Sequence, residues 1–242
     1  MAGTKSGRAA ADALCATCAD LVGMDGAAVS VIYDGMSSGT YGSSSETSRR
    51  LDEYQFTFGE GPCLDAVATR SPVLVPDMNS RQEDRWPAFR GAALDDGVRG
   101  VFALPIMITS VCVGALDLFR AQPGPLHGEA LAGAKLAAEL ASAPLIDLIA
   151  EAQTLADSNQ VSFTASEAED ESTTDMDRIE VFQASGMLIS ALGVTADEAL
   201  VRLRAHAIAA GQTASEVARA IIERRLTLDR DDIEGGPGRS PQ

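Results

Sequence analysis

Four cysteines are the side chains of this 242-residue sequence best suited to redox or metal chemistry, because a thiolate is both a nucleophile and a metal ligand. They are Cys15, Cys18, Cys63 and Cys112. Only the first two form a C-x-x-C pair, and the sequence has two histidines, His127 and His206. Since paired C-x-x-C clusters are missing, a structural zinc site is not expected and no metal site is predicted.

The C-x-x-C pair has two interpretations. It could act as a redox pair, or Cys18 could pack with Leu14 and Leu21 on the apolar face of a helix over residues 9–21. The helical spacing favours packing. A thiol sensor or redox enzyme using Cys63 and Cys112 stays open as an alternative function. The sequence shows no nucleophile–base constellation, so the main prediction is a protein that is not an enzyme.

A run of small residues near the C-terminus lies inside a helical pattern, at Gln183-Ala184-Ser185-Gly186-Met187. Small side chains let a flat or bulky partner come close to a helix backbone. The alternative is that Ala184 and Gly186 only permit close packing of one helix on another. This stretch is the first candidate for a binding surface.

The charge of the chain is distributed unevenly. A net charge of −16 argues against indiscriminate electrostatic binding to nucleic acid or to an anionic membrane. Residues 151–177 carry eight acidic residues and no basic ones, whereas residues 178–230 carry seven arginines against six acidic residues. The N-terminus lacks the apolar core of a signal peptide, which predicts a cytoplasmic protein with reduced thiols.

The first part of the chain has the pattern of an α+β domain, a mainly antiparallel sheet with helices on its faces. Strands are predicted over residues 26–33, 40–42, 73–75, 100–108 and 111–119. Residues 101–116 carry no charge, but this stretch is shorter than the ~20 residues of a spanning helix, so two buried strands are favoured over a membrane segment. An Ala/Leu-rich helix over 128–152, kinked at Pro144, could pack on the sheet and pair with its twin in a dimer.

A glycine-rich turn precedes the predicted helix at residues 63–69. In Gly59-Glu60-Gly61-Pro62, the proline occupies the favoured first helical position. Such a loop can hold phosphate, but it lacks the G-x-G-x-x-G spacing and the P-loop lysine, so a helix start is favoured. Further along, Trp86 and Phe89 could line a pocket or plug the end of the sheet.

These features resemble the GAF family of small-molecule sensing domains. The resemblance covers about residues 8–150 and rests on Phe58-Gly59-Glu60-Gly61-Pro62-Cys63, Val73-Leu74-Val75-Pro76-Asp77, Leu104-Pro105-Ile106 and Val113-Gly114-Ala115-Leu116. It implies a GAF-like antiparallel sheet and a small-molecule ligand, although no particular cofactor is predicted. The implied ligand pocket consists of Cys63, Val75, Asp77, Trp86 and Phe89.

Three short helices are predicted at the end of the chain. Asp175 or Asp177 can cap the first, over residues 178–192, and Ile179, Phe182, Gly186 and Ile189 follow one another at a 3-4-3 spacing. Two capping boxes, Thr195-Ala196-Asp197-Glu198 and Thr213-Ala214-Ser215-Glu216, each follow a glycine stop and open the second and third helices, which run to about 210 and 226.

This segment resembles the ANTAR family, the RNA-binding output domains of transcription antitermination regulators. The resemblance covers residues 175–228 and rests on Gln183-Ala184-x-Gly186, Glu198-Ala199, Leu203-Arg204, Ala207 and Glu216-Val217-Ala218. It implies a dimer that binds two small stem-loops of a nascent transcript and prevents formation of a terminator hairpin. The implied RNA-binding residues are Gln183, Ala184, Ser185, Gly186, Ile189, Arg202, Arg204, Ala207, Ser215 and Ala218.

The sequence departs from the family pattern at Ser185, where many members have lysine, and at Ile189, where many have methionine. Loss of a cation weakens the expected attraction to phosphate, so the arginines must supply it. The predicted organisation is a flexible tail (1–7), a GAF sensor (8–153), an acidic linker (154–174), an ANTAR domain (175–228) and a flexible tail (229–242). A DNA-binding regulator stays open as a further alternative.

Overall fold

The computed structural model describes residues 3–33, 36–146 and 178–228. The chain divides into two compact units, Met1–Met176 and Asp177–Gln242. The predicted linker 154–174, the tail 229–242 and the helix caps Asp175 and Asp177 lie outside the described residues. Each unit is described by itself below.

The first unit alternates helices and strands. In chain order its elements are α1 (Gly3–Val22), β1 (Gly26–Tyr33), β2 (Met36–Ser43), α2 (Glu46–Phe58), α3 (Pro62–Thr69), β3 (Val73–Val75), α4 (Pro87–Asp95), β4 (Gly100–Ile108), β5 (Val111–Arg120) and α5 (Gly128–Leu140). The five strands form one sheet in the order β2-β1-β5-β4-β3, and every neighbouring pair is antiparallel. The predicted α+β architecture is therefore confirmed.

The two faces of the sheet are covered by different helices. Side chains alternate along a strand, so Val29 and Leu116 face one side, together with buried residues of α1 and α5. On the other side, Ala28 and Phe119 pack with Leu51 of α2 and Phe89 of α4. This second face also carries Ser30 and Asp117, which belong to neighbouring strands in the register that pairs Ala28 with Asp117.

Several predicted boundaries in this unit are wrong. Helix α1 begins at Gly3, so the predicted flexible tail 1–7 is helical from that residue onward. Cys18 is buried as predicted, but Leu21 is exposed. Helix α5 ends at Leu140, after which residues 142–146 are helical again. The break has a physical cause, because the ring of Pro144 would clash with the carbonyl four residues earlier, at Leu140.

The second unit consists of three helices: α6 (Ile179–Leu192), α7 (Ala196–Ala210) and α8 (Ala214–Ile222). Their buried faces include Leu188, Leu203 and Val217, which supply the apolar contact between them. Helix α8 ends four residues before the predicted boundary. Beyond it, the backbone N–H of Arg225 donates to the carbonyl of Ala220, which closes the last turn.

The two predicted capping boxes are realised to different extents. The side chain of Thr213 accepts from the N–H of Glu216, and the Glu216 carboxylate accepts from the N–H of Thr213, at 3.2 and 2.8 Å. The hydroxyl of Thr195 likewise accepts from the N–H of Glu198. The carboxylate of Glu198, however, binds Arg202 instead of completing the box.

No single helix among the described residues is long and apolar enough to cross a membrane. Helices α6 and α7 meet the length and composition criteria only when taken together, and they are bent by 109° relative to each other.

Candidate functional site

Helix α6 presents a row of exposed residues to solvent. Phe182 is 53% exposed, and Gln183 and Gly186 are exposed beside it. Ile189 is half-buried on the same side of the helix. A Cβ built onto Gly186 meets no atom within 4 Å, so this glycine is not needed for packing in the described structure. We call Phe182, Gln183, Gly186 and Ile189 the α6 face.

Five other predicted RNA-binding residues are buried. They are Ala184, Ser185, Ala207, Ser215 and Ala218. Their small side chains allow the three helices to approach one another closely. The interpretation that small residues permit close helix packing thus fits Ala184 but does not fit Gly186.

The arginines of this unit are engaged by neighbouring groups. Arg202 donates to Glu198 at 2.8 Å, one helical turn away, and Arg219 donates to Glu180 at 3.2 Å. The side chain of Arg204 is half-buried, and burial, together with the nearby charge of Arg178, lowers the pKa of its guanidinium from the ordinary value. Two of these arginines, Arg202 and Arg219, are therefore already paired with carboxylates.

The predicted ligand-pocket residues of the first unit lie in three different places. Val75, Trp86 and Phe89 are buried in the apolar core beneath α4, where the two aromatic rings fill space against the sheet. Asp77 lies near the surface and pairs with Arg99, 2.8 Å from the nearest guanidinium nitrogen. Cys63 is buried elsewhere, against Ala115 of β5.

A surface cleft of about 310 Å³ opens elsewhere in this unit. It lies beside the ends of β1, α2 and β5, and its lining includes Ser48, Leu51, Asp96, Phe119 and Arg120. None of the five predicted pocket residues lines it. Neither the core beneath α4 nor this cleft therefore brings the predicted pocket together.

The glycine-rich turn joins three helices. Glu60 accepts hydrogen bonds from the N–H groups of Ala88 and Phe89, at 2.7 and 3.1 Å, and so caps the N-terminus of α4. At the start of α3, the side-chain carbonyl of Gln55 accepts from the N–H of Cys63 at 2.7 Å. These amides are already satisfied by the protein itself, which fits a helix start and not a phosphate cradle.

A buried polar cluster lies beneath α2 and α3, on the sheet face that carries Ser30 and Asp117. Asp52 of α2 accepts hydrogen bonds from Ser30 and from Thr40. Gln55, one turn further along α2, donates from Nε2 to Asp117 at 2.8 Å. The cluster comprises Ser30, Thr40, Asp52, Gln55, Cys63 and Asp117, and all of them are buried.

Two acids in this cluster have strongly shifted pKa values. Burial, and next the nearby carboxylate of Asp52, raise the pKa of Asp117 to about 8, against weaker stabilisation of the anion by Gln55 and Cys63. Burial also raises the pKa of the Cys63 thiol well above its ordinary value, and Asp117 raises it further. Both groups therefore hold their protons at neutral pH.

The remaining thiols share this character. Burial raises the pKa of Cys15 to about 12, and it also raises the pKa values of Cys18 and Cys112. All four cysteines are free thiols. Since the thiolate is the reactive form, the described structure does not provide an activated nucleophilic cysteine.

Two features of these sites were not predicted from the sequence. Phe182 was placed in a helical pattern but not on a binding surface, although an exposed aromatic ring is suited to stacking on a base. The carboxylates of Asp52 and Asp117 were not singled out. A charged residue inside a strand of otherwise apolar residues, as Asp117 is in β5, was the available signal.

Comparison with known families agrees with this architecture. The GAF domain family matches residues 5–144, which is more than half of the chain, and the ANTAR domain family matches residues 173–222. The chain belongs to the GAF domain family and carries an ANTAR domain after its GAF domain. No curated protein sequence matches it significantly.

Solved structures similar to the chain include other GAF domains. One, from a phosphoenolpyruvate-protein phosphotransferase of Coxiella burnetii, is 15% identical with a TM-score of 0.48, over 60% of this chain and 85% of that chain. A type II free methionine-R-sulfoxide reductase from Thermoplasma acidophilum is 15% identical with a TM-score of 0.45, over 60% and 95%. A GAF domain/HD domain protein from Geobacter sulfurreducens is 16% identical with a TM-score of 0.42, over 56% and 88%.

The order of the two domains defines the class of protein. A GAF domain is a signal-sensing domain, and an ANTAR domain is the RNA-binding part of an antitermination regulator. The chain is accordingly a regulator in which a sensor precedes an RNA-binding output domain. Both domains are regulatory, which agrees with the prediction that the protein is not an enzyme.

Proposed function

We propose that this protein is a cytoplasmic, signal-responsive regulator that binds paired stem-loops in nascent RNA as a homodimer and so promotes transcription antitermination. In this proposal the GAF domain responds to a small molecule, and the ANTAR domain contacts the RNA. The observation that carries the proposal is the open space above Gly186, between the exposed side chains of the α6 face.

The α6 face has the chemistry that RNA loops require. Proteins read unpaired RNA bases by stacking, by hydrogen bonds to base edges and by close approach of the backbone. Phe182 offers an exposed ring for stacking, Gln183 offers an amide that both donates and accepts, and Gly186 permits close approach. These three residues are adjacent on one helix.

Charge supports a selective interaction more than a general affinity for nucleic acid. Arg202 and Arg219 are paired with carboxylates, and the whole chain carries a net charge of −16. Binding to phosphate must displace these carboxylate partners, so the two arginines add less to the affinity for RNA than unpaired arginines would. Base contacts along the α6 face then have to supply much of the discrimination between RNA sequences.

The homodimer is supported by an exposed apolar stripe on α5. Leu136 and Leu140 are 55% and 61% exposed and lie one turn apart, on the same side of the helix. Large exposed leucines at this spacing are typical of a helix that pairs with another helix. A symmetric pair of chains would present two ANTAR domains to the two loops of one transcript.

The alternative functions have less support. A thiol sensor needs an accessible thiol with a lowered pKa, whereas the pKa values of Cys63 and Cys112 are both raised and Cys63 is buried. A DNA-binding regulator needs cations gathered on one recognition helix, whereas Arg202 on α7 and Arg219 on α8 lie on different helices and are already paired.

The proposal is tested by the substitution Gly186→Leu, with Gly91→Leu as the matched control. Both glycines are exposed helical residues, and a Cβ at either meets no atom within 4 Å, so both variants are expected to fold. Gly91 lies on α4, in the GAF domain. The binding of RNA with two stem-loops, RNA with one stem-loop and duplex DNA is measured for each protein.

We expect the wild-type protein to prefer the two-loop RNA over both other ligands. Gly186→Leu should weaken that binding by at least about tenfold, or ~1.4 kcal/mol, while Gly91→Leu leaves it unchanged. Equal affinities of the wild type and Gly186→Leu for the two-loop RNA would contradict the proposal that the α6 face contacts RNA. Tighter binding of duplex DNA would favour the DNA-binding alternative.

A further inference from the structure

Three potential metal ligands meet inside the buried polar cluster. One ligand atom from each of Asp52, Cys63 and Asp117 lies within 4.8 Å of the other two. Cys63 is 1% exposed, and the two aspartates are 1% and 0% exposed. They come from α2, α3 and β5, so the fold itself brings them together from positions far apart in the sequence.

One oxygen in the cluster lacks a partner. Oδ2 of Asp117 accepts from Gln55, but Oδ1 of the same fully buried carboxyl group accepts no hydrogen bond among the described residues. Leaving a buried oxygen of this kind unsatisfied costs about 1–3 kcal/mol, so native structures normally provide a partner. This oxygen without a partner belongs to one of the three potential ligands, and a metal ion could take its lone pair once the carboxyl proton has left.

The rest of the cluster orients the three groups. Gln55 holds Asp117 with its amide N–H and holds the start of α3, where Cys63 lies, with its carbonyl oxygen. Ser30 and Thr40 both donate to Asp52, which leaves this carboxylate fixed between β1, β2 and α2. Hydrogen bonds of this kind behind a set of ligands are what orients them toward a metal ion.

We propose that Asp52, Cys63 and Asp117 bind a divalent transition metal ion inside the GAF domain. The mixed set of one thiolate and two carboxylates suits an ion of borderline softness, such as Zn²⁺ or Fe²⁺, more than Mg²⁺ or Ca²⁺. Such ions lie about 2.0–2.3 Å from sulfur or oxygen ligands, so small movements of the side chains bring all three into range.

Binding exchanges the ion for two protons, so the reaction conserves charge while the occupied site keeps a net charge of −1. The ion displaces the proton of the Cys63 thiol and the proton of the Asp117 carboxyl group, and both protons leave to solvent. The resulting site contains two positive charges on the ion and three negative charges on its ligands. Three protein ligands also leave one position of a four-coordinate ion open to a water molecule or a small ligand.

Cobalt provides a direct test with the full-length protein. Co²⁺ is added to chelator-treated, reduced protein, and the visible and near-ultraviolet absorption is recorded. A bound thiolate gives an intense sulfur-to-cobalt charge-transfer band, which carboxylates alone do not give. We expect this band to saturate at one ion per chain and to be lost when Zn²⁺ is added in competition. A wild-type protein without the band overturns the proposal.

Three variants assign the ligands. Cys63→Ser should abolish the band, Asp117→Asn should weaken Co²⁺ binding by at least about tenfold, and Cys112→Ser, which removes a thiol outside the cluster, should change neither. Loss of the band in Cys112→Ser, or unchanged binding in Asp117→Asn, overturns the assignment. If Cys63→Ser does not fold, the Co²⁺ affinity of Asp117→Asn decides the assignment, because asparagine keeps the shape of the aspartate side chain.

The metal proposal is independent of the proposed RNA function. It concerns the GAF domain alone, and its readout is the cobalt spectrum, in which RNA takes no part. If the RNA-binding test fails, the cobalt spectrum still decides the metal proposal. If the charge-transfer band is absent, the measured affinity for stem-loop RNA still decides the RNA proposal.

Discussion

At the scale of single residues, Asp117 is a costly side chain to bury in the described core. Its carboxyl group is fully buried in β5, between apolar neighbours such as Leu116 and Leu118. The protein avoids burying a full negative charge here because burial raises the pKa of Asp117 to about 8, so the group is protonated at neutral pH. In the unfolded chain the same group ionises near its ordinary value of about 4.

This difference predicts that Asp117→Asn stabilises the metal-free protein. At pH 7 the unfolded wild-type chain releases a proton that the folded chain retains, which favours unfolding, and asparagine removes that effect. We expect the free energy of unfolding at pH 7 to rise by about 1–3 kcal/mol, measured by urea denaturation in the presence of a chelator. The sign of this change follows from the raised pKa of Asp117. A carboxyl group with a raised pKa contributes to the stability of the folded state only at low pH, and this contribution is lost from pH ~4 upward.

Asp77→Asn is the matched control for this measurement. Asp77 lies near the surface and pairs with Arg99, which lowers the pKa of Asp77. Its replacement removes a stabilising interaction, so this variant should be equal to or less stable than the wild type. A decrease in stability for Asp117→Asn would show that the carboxyl group makes a favourable contact in the metal-free protein.

At the scale of elements, the start of α3 shows how a loop residue makes room for a side chain. Gly61 has φ +147, and a Cβ at this position would clash with Oε1 of Gln55. The glycine therefore leaves space for the Gln55 side chain, which replaces the usual N-cap of α3 and reaches Asp117. The same turn holds Glu60 against the N-terminus of α4.

We predict that Gly61→Ala destabilises the GAF domain more than Gly97→Ala does. Both glycines have a positive φ, but a Cβ at Gly97 meets no atom within 4 Å, so that variant measures backbone strain alone. We expect losses of about 1–2 kcal/mol for Gly97→Ala and about 3 kcal/mol or more for Gly61→Ala, by thermal or urea unfolding. Equal losses would mean that Gln55 moves aside without cost.

At the scale of the whole molecule, the proposed recognition of paired stem-loops requires two ANTAR domains. The exposed leucines of α5 are the surface from which a dimer is inferred, and this surface belongs to the GAF domain. The proposed dimer contact and the proposed RNA-binding surface of the ANTAR domain involve different residues. The two activities can therefore be separated by substitution.

The double variant Leu136→Glu/Leu140→Glu is predicted to be monomeric. Two carboxylates replace the apolar stripe and repel their counterparts across a symmetric contact. By light scattering after gel filtration, we expect the mass to fall by half. Affinity for two-loop RNA should fall by at least about tenfold, because the two sites are no longer linked, while affinity for one loop stays the same.

Lys135→Glu serves as the control, because it makes the same change in net charge at an exposed neighbouring position of α5. It should remain dimeric. A double variant that keeps the dimer mass, or a wild type that is monomeric at the concentrations used for RNA binding, would contradict the role assigned to α5.

The sequence predicts a structural feature well where that feature depends on residues close together in the chain. The β4–β5 hairpin follows from two β-branched runs around Thr109, and Pro62 marks the first turn of α3, because both depend only on neighbouring residues. The buried cluster depends on tertiary structure, since Asp52 and Asp117 meet only when α2 packs across the sheet. Local periodicity carries no information about that contact.

The α6 face shows how a periodic pattern can mislead. Three of its residues belong to the 3-4-3 series Ile179, Phe182, Gly186 and Ile189, which has the period of a buried helix face. Ile179 and Phe182 are nevertheless exposed. A second apolar stripe, shifted around the helix and including Val181 and Leu188, is the one that packs on α7 and α8. The period is the same for both stripes, so spacing alone could not distinguish core from surface.

The incomplete capping box of α7 has a consequence for the energetics of phosphate binding. Glu198 binds Arg202 in this structure. It is the third residue of α7, and Glu216, the third residue of α8, completes the capping box of its own helix. If a phosphate takes Arg202, the released carboxylate can turn back to the N–H of Thr195 and stabilise the helix start. Glu198 thus acts as an internal counterion of Arg202 that has a second hydrogen-bond donor available. This lowers the free-energy cost of breaking the ion pair between Glu198 and Arg202.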